Sequence, residues 1–289
     1  MKIETFFDKD TFTLTHIVSD EKTKDSVIID SVLDYDPRSS TYSYDSINKV
    51  TEYIEGNELK IHFIMETHAH ADHLTGSQEL KRRFPEAKVV IGNGITKVQQ
   101  TFKSLFNLSP EFPVDGRQYD QLIADNEVIE AGSLKIKALY TPGHTEACSS
   151  YLIGDAVFTG DALFMPDYGV ARCDFPKGSA HSLFKSITER LYTLPDDTRV
   201  FVNHDYQPGG RELKFQSTIG EEKKNNVQLN EKTTEEEFVK FRTNRDSQLA
   251  APKLLLPSIQ VNINAGNIPE PEQNGISYLK IPIKKRKET

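Results

Sequence analysis

Cysteine is almost absent from this chain: there are two in 289 residues, Cys148 and Cys173, far apart and outside any paired-cysteine spacing. That excludes a disulfide framework and a cysteine-rich zinc module, and it points to a reducing compartment. Long apolar runs are missing as well. No stretch approaches the roughly 20 residues needed to cross a bilayer, and Met1 to Asp20 has neither the basic start nor the apolar core of a secretory signal. The expectation is a cytoplasmic protein with no membrane contact. Positive charge is in deficit, with 35 Lys and Arg against 43 Asp and Glu and a net charge of −8. Nucleic-acid binding needs a basic face to neutralise phosphates, so none is expected. The one basic cluster, Lys284-Lys285-Arg286-Lys287, reads as a solvated tail.

Histidine is scarce too, eight in all, yet three stand within Glu66-Thr67-His68-Ala69-His70-Ala71-Asp72-His73-Leu74. This cluster follows the apolar run Ile61-His62-Phe63-Ile64-Met65 directly. Imidazole nitrogen and carboxylate oxygen suit zinc or non-haem iron, and such ligands are delivered by a loop at the end of a rigid buried strand.

The rest of the chain alternates short strands and helices. Thr11 to Val18 and Ser26 to Asp30 read as a hairpin with the charged Ser19–Asp25 stretch at its turn. Asp36 to Tyr44 reads as a loop. Ile47, Val50, Tyr53 and Ile54 predict a helix that stops at Gly56. Beyond the histidine cluster come a helix over Ser77–Phe84, a strand over Lys88–Ile91, a helix over Ile95–Leu105 and two strands about Ala131-Gly132. Thr141-Pro142-Gly143-His144-Thr145 then ends a strand in a turn that carries a histidine. Ser149–Ile153 and Ala156–Thr159 form a hairpin leading to Gly160-Asp161, Ala180–Leu194 is an amphipathic helix, and Arg199–Val202 delivers Asn203-His204-Asp205-Tyr206. Four strand ends therefore carry potential metal ligands in an α/β layered (α+β) architecture. Residues 209–248 are helical in composition, with Glu235-Glu236-Glu237 after Thr233-Thr234 as an N-terminal charge cap. Pro252 to Lys280 shows no clear periodicity. Residues 1–250 are expected to form the catalytic domain and 251–289 a C-terminal extension packed on it.

The ordered set Thr67-His68-Ala69-His70-Ala71-Asp72-His73, Pro142-Gly143-His144-Thr145, Thr159-Gly160-Asp161 and His204 resembles the metallo-β-lactamase superfamily. The resemblance implies an αββα sandwich with the metal in a cleft at one edge of two sheets. Thr159 to Phe164, Gly169 through Arg172-Cys173-Asp174-Phe175, His204-Asp205-Tyr206 and Gly209-Gly210-Arg211 resemble its persulfide dioxygenase branch, especially the bacterial members labelled β-lactamase-hydrolase-like. Two departures stand out: Met165-Pro166-Asp167-Tyr168 replaces a cysteine- and glycine-containing loop, and the tail after Tyr206 is longer than those enzymes need.

By motif position, the resemblance implies one Fe(II) per chain held by His68, His144 and Asp161. It implies oxidation of a thiol persulfide, glutathione persulfide above all, by O2 and water to thiol and sulfite. His70, Asp72, His73 and His204 would then orient the site from outside the ligand set, or hold a second metal in a binuclear zinc hydrolase of glyoxalase II or lactonase type. Arg172 is the candidate anchor for a substrate carboxylate, with an internal ion pair to Asp174 as the alternative. Tyr206 is a candidate hydrogen-bond donor at the site, and Cys173 a candidate redox or sulfur-relay thiol, or else a buried filler. A non-catalytic, metal-stabilised binding module is a third reading. Homo-oligomers are expected from the family.

Overall fold

The computed structural model describes residues 1–283 and 285. The basic tail read at Lys284–Lys287 therefore lies outside the described residues except for Lys285. Two six-stranded sheets face each other. The first runs, in spatial order, Lys2–Asp8, Thr13–Ser19, Asp25–Ile29, Lys60–Glu66, Lys88–Gly92, Gln121–Ile123. The second runs Val128–Ala131, Leu134–Tyr140, Ser149–Ile153, Ala156–Phe158, Arg199–Phe201, Gln216–Thr218.

Period-two alternation explains the layering. In the strand Lys60–Glu66, Phe63 and Met65 point between the sheets, where they meet Ile136, Tyr151 and Phe158. Ile64 points the other way, into a cluster with Ile47, Val50, Leu80, Ile95 and Phe102 from three helices. Because both of its faces are covered, this strand reads in the sequence as a continuous apolar run rather than an alternating one. On the second sheet, Val157 and Val200 face outward against Leu183, Ile187 and Phe238. The result is the αββα sandwich.

The hairpin of Thr13–Ser19 with Asp25–Ile29 is antiparallel as predicted, and the first helix, Asp45–Gly56, stops at its glycine. At Thr234 a full capping box forms, its side chain accepting from Glu237 N while the Glu237 carboxylate accepts from Thr234 N. Several local features differ from the expectation: Gln216–Thr218, in the stretch read as helical, is a strand, and the helix from Ala180 turns π-helical over Ser186–Leu191. Lys2–Asp8 is an additional edge strand along Thr13–Ser19. The Asp36–Tyr44 loop is partly a ribbon of Val32–Asp36 with Thr41–Ser43. Pro252 to Lys280 contains a helix, Leu255–Asn262, that helps place Ile259, Ile263 and Ala265 in the first sheet's outer cluster. Its Pro257 falls in the first helical turn, where a missing N–H costs no hydrogen bond.

Candidate metal centre

Parallel pairing collects the ligand-bearing strand ends. Asp25–Ile29 is parallel to Lys60–Glu66, and Ala156–Phe158 is parallel to Arg199–Phe201, so each pair opens its C-terminal end at one edge of its sheet. His68, His70, Asp72 and His73 follow the Lys60–Glu66 strand. His144 follows Leu134–Tyr140, Asp161 follows Ala156–Phe158 and His204 follows Arg199–Phe201. The turn before Asp161 needs a glycine for two reasons. Gly160 has φ +51°, a conformation that favours glycine, and a Cβ there would lie 2.6 Å from Thr67 Oγ1.

All seven predicted ligands come together. The donor atoms of His68, His144 and Asp161 lie within 4.8 Å of one another, and those of His70, Asp72 and His73 form a second such group. His204 joins the two groups, its Nε2 being 3.1 Å from Asp72 Oδ2 and 3.4 Å from Asp161 Oδ1.

Hydrogen bonds decide which nitrogen of each ring carries the proton. Thr67 Oγ1 donates its single hydrogen to Asp30 Oδ2 at 2.8 Å, so toward His68 Nδ1, at 3.0 Å, it can only accept. His68 is thereby fixed with Nδ1–H and a lone pair on Nε2. His144 Nδ1 donates to the Arg172 carbonyl at 2.8 Å, which frees its Nε2, 3.6 Å from Asp161 Oδ2. His70 is turned the other way round. Its Nε2 donates to Asp30 Oδ1 at 3.0 Å with Glu66 Oε2 at 3.2 Å, leaving Nδ1 free. His68 Nε2, His70 Nδ1, His73 Nε2 and Asp72 Oδ2 are all buried without a hydrogen-bond partner among the described residues. Buried lone pairs converging without donors are what a cation requires, so this set fits a metal. The orphaned atoms fall in both groups and so leave room for one ion or two.

Burial, reinforced by His70 and His144, pushes the His68 proton affinity well below the usual histidine range. Burial also works against a proton on His70, but Asp30 and Glu66 outweigh it and raise its affinity well above that range, so a metal at Nδ1 would bind there in place of a proton. Asp30 and Glu66 are not apparent as site residues in the sequence. Asp30 adopts φ +52° at its strand end, where its carboxylate also accepts from Thr67 N at 2.8 Å.

A cleft of about 220 Å³ opens on Asp72, His144 and Asp161, with Phe164, Tyr168, Phe175 and Tyr206 among its walls. A larger hollow of about 490 Å³, rich in aspartate, touches only His73 of the ligand set. The smaller cleft is the one that reaches both groups of ligands. Tyr206 is half-buried beside His204, rings 5.6 Å apart, and loss of solvent together with Asp72 and Asp161 pushes its phenol well above the usual range, so it stays a donor.

Arg172 lines this cleft, but Asp174 takes its guanidinium at two 2.6 Å contacts and the Ala250 carbonyl at 2.7 Å. What it presents to the centre is its carbonyl, on His144. Arg245, which the sequence reading missed, also lines the cleft, and its one acidic neighbour among the described residues, Asp246 Oδ1, is 3.9 Å away. No local motif flags it, because it reaches the cleft from the helix Glu235–Asp246. Cys173 is a buried thiol whose pKa burial pushes up to about 12, and it donates weakly to the Ala171 carbonyl. A group so protonated has little thiolate for redox or sulfur-relay chemistry.

Comparison with known proteins identifies the family and the fold. The sequence model described as the metallo-beta-lactamase superfamily matches residues 13–204. "Glyoxylase B2" of Dictyostelium discoideum is 48% identical over 98% of this chain and 97% of its own length. "Persulfide dioxygenase ETHE1, mitochondrial" of Homo sapiens is 30% identical over 88% of this chain and 84% of its own. The crystal structure of ETHE1 from Myxococcus xanthus superposes with a TM-score of 0.74 at 31% identity, covering 92% of this chain and all of the other. Among the described residues no helix is long and apolar enough to cross a membrane.

Proposed function

We propose a function from one premise: the chain belongs to the metallo-β-lactamase superfamily, a metal-dependent enzyme superfamily. Our reading is a thiol-persulfide dioxygenase with one Fe(II) held by His68, His144 and Asp161. The observation that carries it is a set of two histidines and one carboxylate opening on a cleft with the Arg245 guanidinium in its wall. Iron bound by such a set supplies the redox chemistry that dioxygen requires and keeps positions open for exogenous ligands. Overall, a thiol persulfide, O2 and water give the thiol, sulfite and two protons.

The protein's own groups bind and orient. Arg245 takes a carboxylate of a glutathione-like carrier, the role first read for Arg172, while Arg172 holds His144 through its carbonyl. Phe164, Tyr168 and Phe175 keep water from the sulfur. The Tyr206 hydroxyl donates a hydrogen bond into the cleft, and the Asp30–Glu66 pair keeps the His70 proton on Nε2. Cys173 has no part in this reading. The working assembly is a homo-oligomer in the cytoplasm.

Oxygen uptake on glutathione persulfide by iron-loaded protein tests the proposal, with Asp161→Ala expected to abolish it. Iron-loaded protein that consumes no oxygen with any low-molecular-weight persulfide would remove it. A second reading, a binuclear zinc hydrolase, is favoured by the orphaned Asp72 Oδ2, His73 Nε2 and His70 Nδ1 and by the relative named "Glyoxylase B2". Two zinc per chain with turnover of S-lactoylglutathione would promote it.

A further inference from the structure

Asn262 ends the helix Leu255–Asn262, beyond the stretch that the family model matches, and is 1% exposed. Its amide Nδ2 donates to the His70 carbonyl and to the His73 carbonyl, both at 2.8 Å, and its Oδ1 accepts from Thr75 N at 2.9 Å. The assignment of nitrogen and oxygen is unambiguous, because two partners are carbonyls and the third is a backbone N–H. One side chain thus fixes both ends of the turn that carries Asp72 and His73.

The helix does not need this amide in order to dock. Ile259, Ile263 and Ala265 are buried in the first sheet's outer cluster, the Asn262 carbonyl accepts from Tyr119 OH at 2.7 Å, and the Ile263 carbonyl accepts from Gln99 Nε2 at 2.9 Å. The amide is therefore free to act on the metal loop alone. We propose that Asn262 is a positioning residue for the metal centre, so that the C-terminal segment acts as a bracket on the His70–Thr75 turn. The proposal applies to either metal. Its failure is therefore separable from failure of the dioxygenase reading.

The test is competition for Zn(II), and separately Fe(II), between the purified full-length chain and a chromophoric chelator. Thermal unfolding of the metal-free protein is measured alongside. Asn262→Ala should weaken metal binding by roughly 10- to 100-fold, the usual effect of losing a partner outside the ligand set, while metal-free unfolding shifts little. Asn262→Asp has the same size but turns an acceptor on both carbonyls, so it should weaken binding at least as much. Gln260→Ala on the same helix should bind metal as the unaltered chain does. Should Asn262→Ala not fold, Asn262→Ser, with one hydroxyl hydrogen left for one carbonyl, should give an intermediate loss. Unchanged metal affinity in a folded Ala or Ser variant, or an equal loss in Gln260→Ala, would overturn the proposal.

Discussion

Replacing Thr67 by valine should disable the centre without touching a ligand. Valine keeps the shape of threonine against Gly160 but deletes the hydroxyl that donates to Asp30 Oδ2 and accepts from His68 Nδ1. Thr67, His68 and Asp30 are each 1% exposed, so water cannot replace the lost partner. A buried group left without its hydrogen bond costs about 1–3 kcal/mol. Asp30 keeps its bonds from Thr67 N and His70 and falls at the low end, whereas the His68 N–H loses its one partner. The sum is a loss of roughly 2–4 kcal/mol in the metal-free protein. There is a chemical effect as well. Without the hydroxyl, the His68 proton is free to move to Nε2, the atom that must face the metal, so affinity should fall by about 10- to 100-fold. Denaturant unfolding of metal-free protein and chelator competition read the two effects separately. Thr67→Ser, which keeps the hydroxyl, should retain most of both. If Thr67→Val matched the unaltered chain in stability and in metal affinity, the hydrogen-bond chain from Asp30 to His68 would have no role in the site.

Arg245→Ala should raise the KM for glutathione persulfide by about tenfold, the scale of one charged hydrogen-bonded contact, with kcat nearly unchanged; initial-rate oxygen uptake checks it. The buried pair Arg242–Asp246 packs under the cleft wall, where Asp246 also accepts from Cys173 N at 2.8 Å. Asp246→Ala should cost about 3–5 kcal/mol by leaving a buried guanidinium unpaired, and the joint replacement Arg242→Met with Asp246→Leu should cost less, both read by denaturant unfolding. Burial raises Glu222 from 4.5 to about 8 despite its bonds to Ser217 and Asn226. The folded state therefore holds a proton that the unfolded chain releases, and stability should fall by up to about 1.4 kcal/mol per unit as pH rises between those two values. Glu222→Gln should remove that slope.

The candidate metal ligands could be read in the sequence because their chemistry is local: a dense string at one strand end, then single histidines or an aspartate in turns that glycine and proline mark. The groups that aim those ligands could not be. Asp30 and Asn262 reach the His70 region from separate parts of the chain, and no spacing rule connects them. The layering could be read from apolar periodicity. The Lys2–Asp8 strand escaped because an edge strand with a half-buried face has weak alternation, and the Leu255–Asn262 helix escaped because a proline in its first turn looks like a breaker. Arg172 lines the cleft, but the partner that occupies its guanidinium is only two residues away, and only the folded geometry decides between such a neighbour and a ligand.

His68 hangs from the first sheet, while His144 and Asp161 hang from the second. An ion gripping all three is therefore a rivet through one edge of the sandwich. Stripping it should loosen that edge alone, with amide hydrogen exchange quickening at the ligand-bearing strand ends while the opposite rim keeps its protection. Metal status would then be legible in the mechanics of the fold, apart from any turnover.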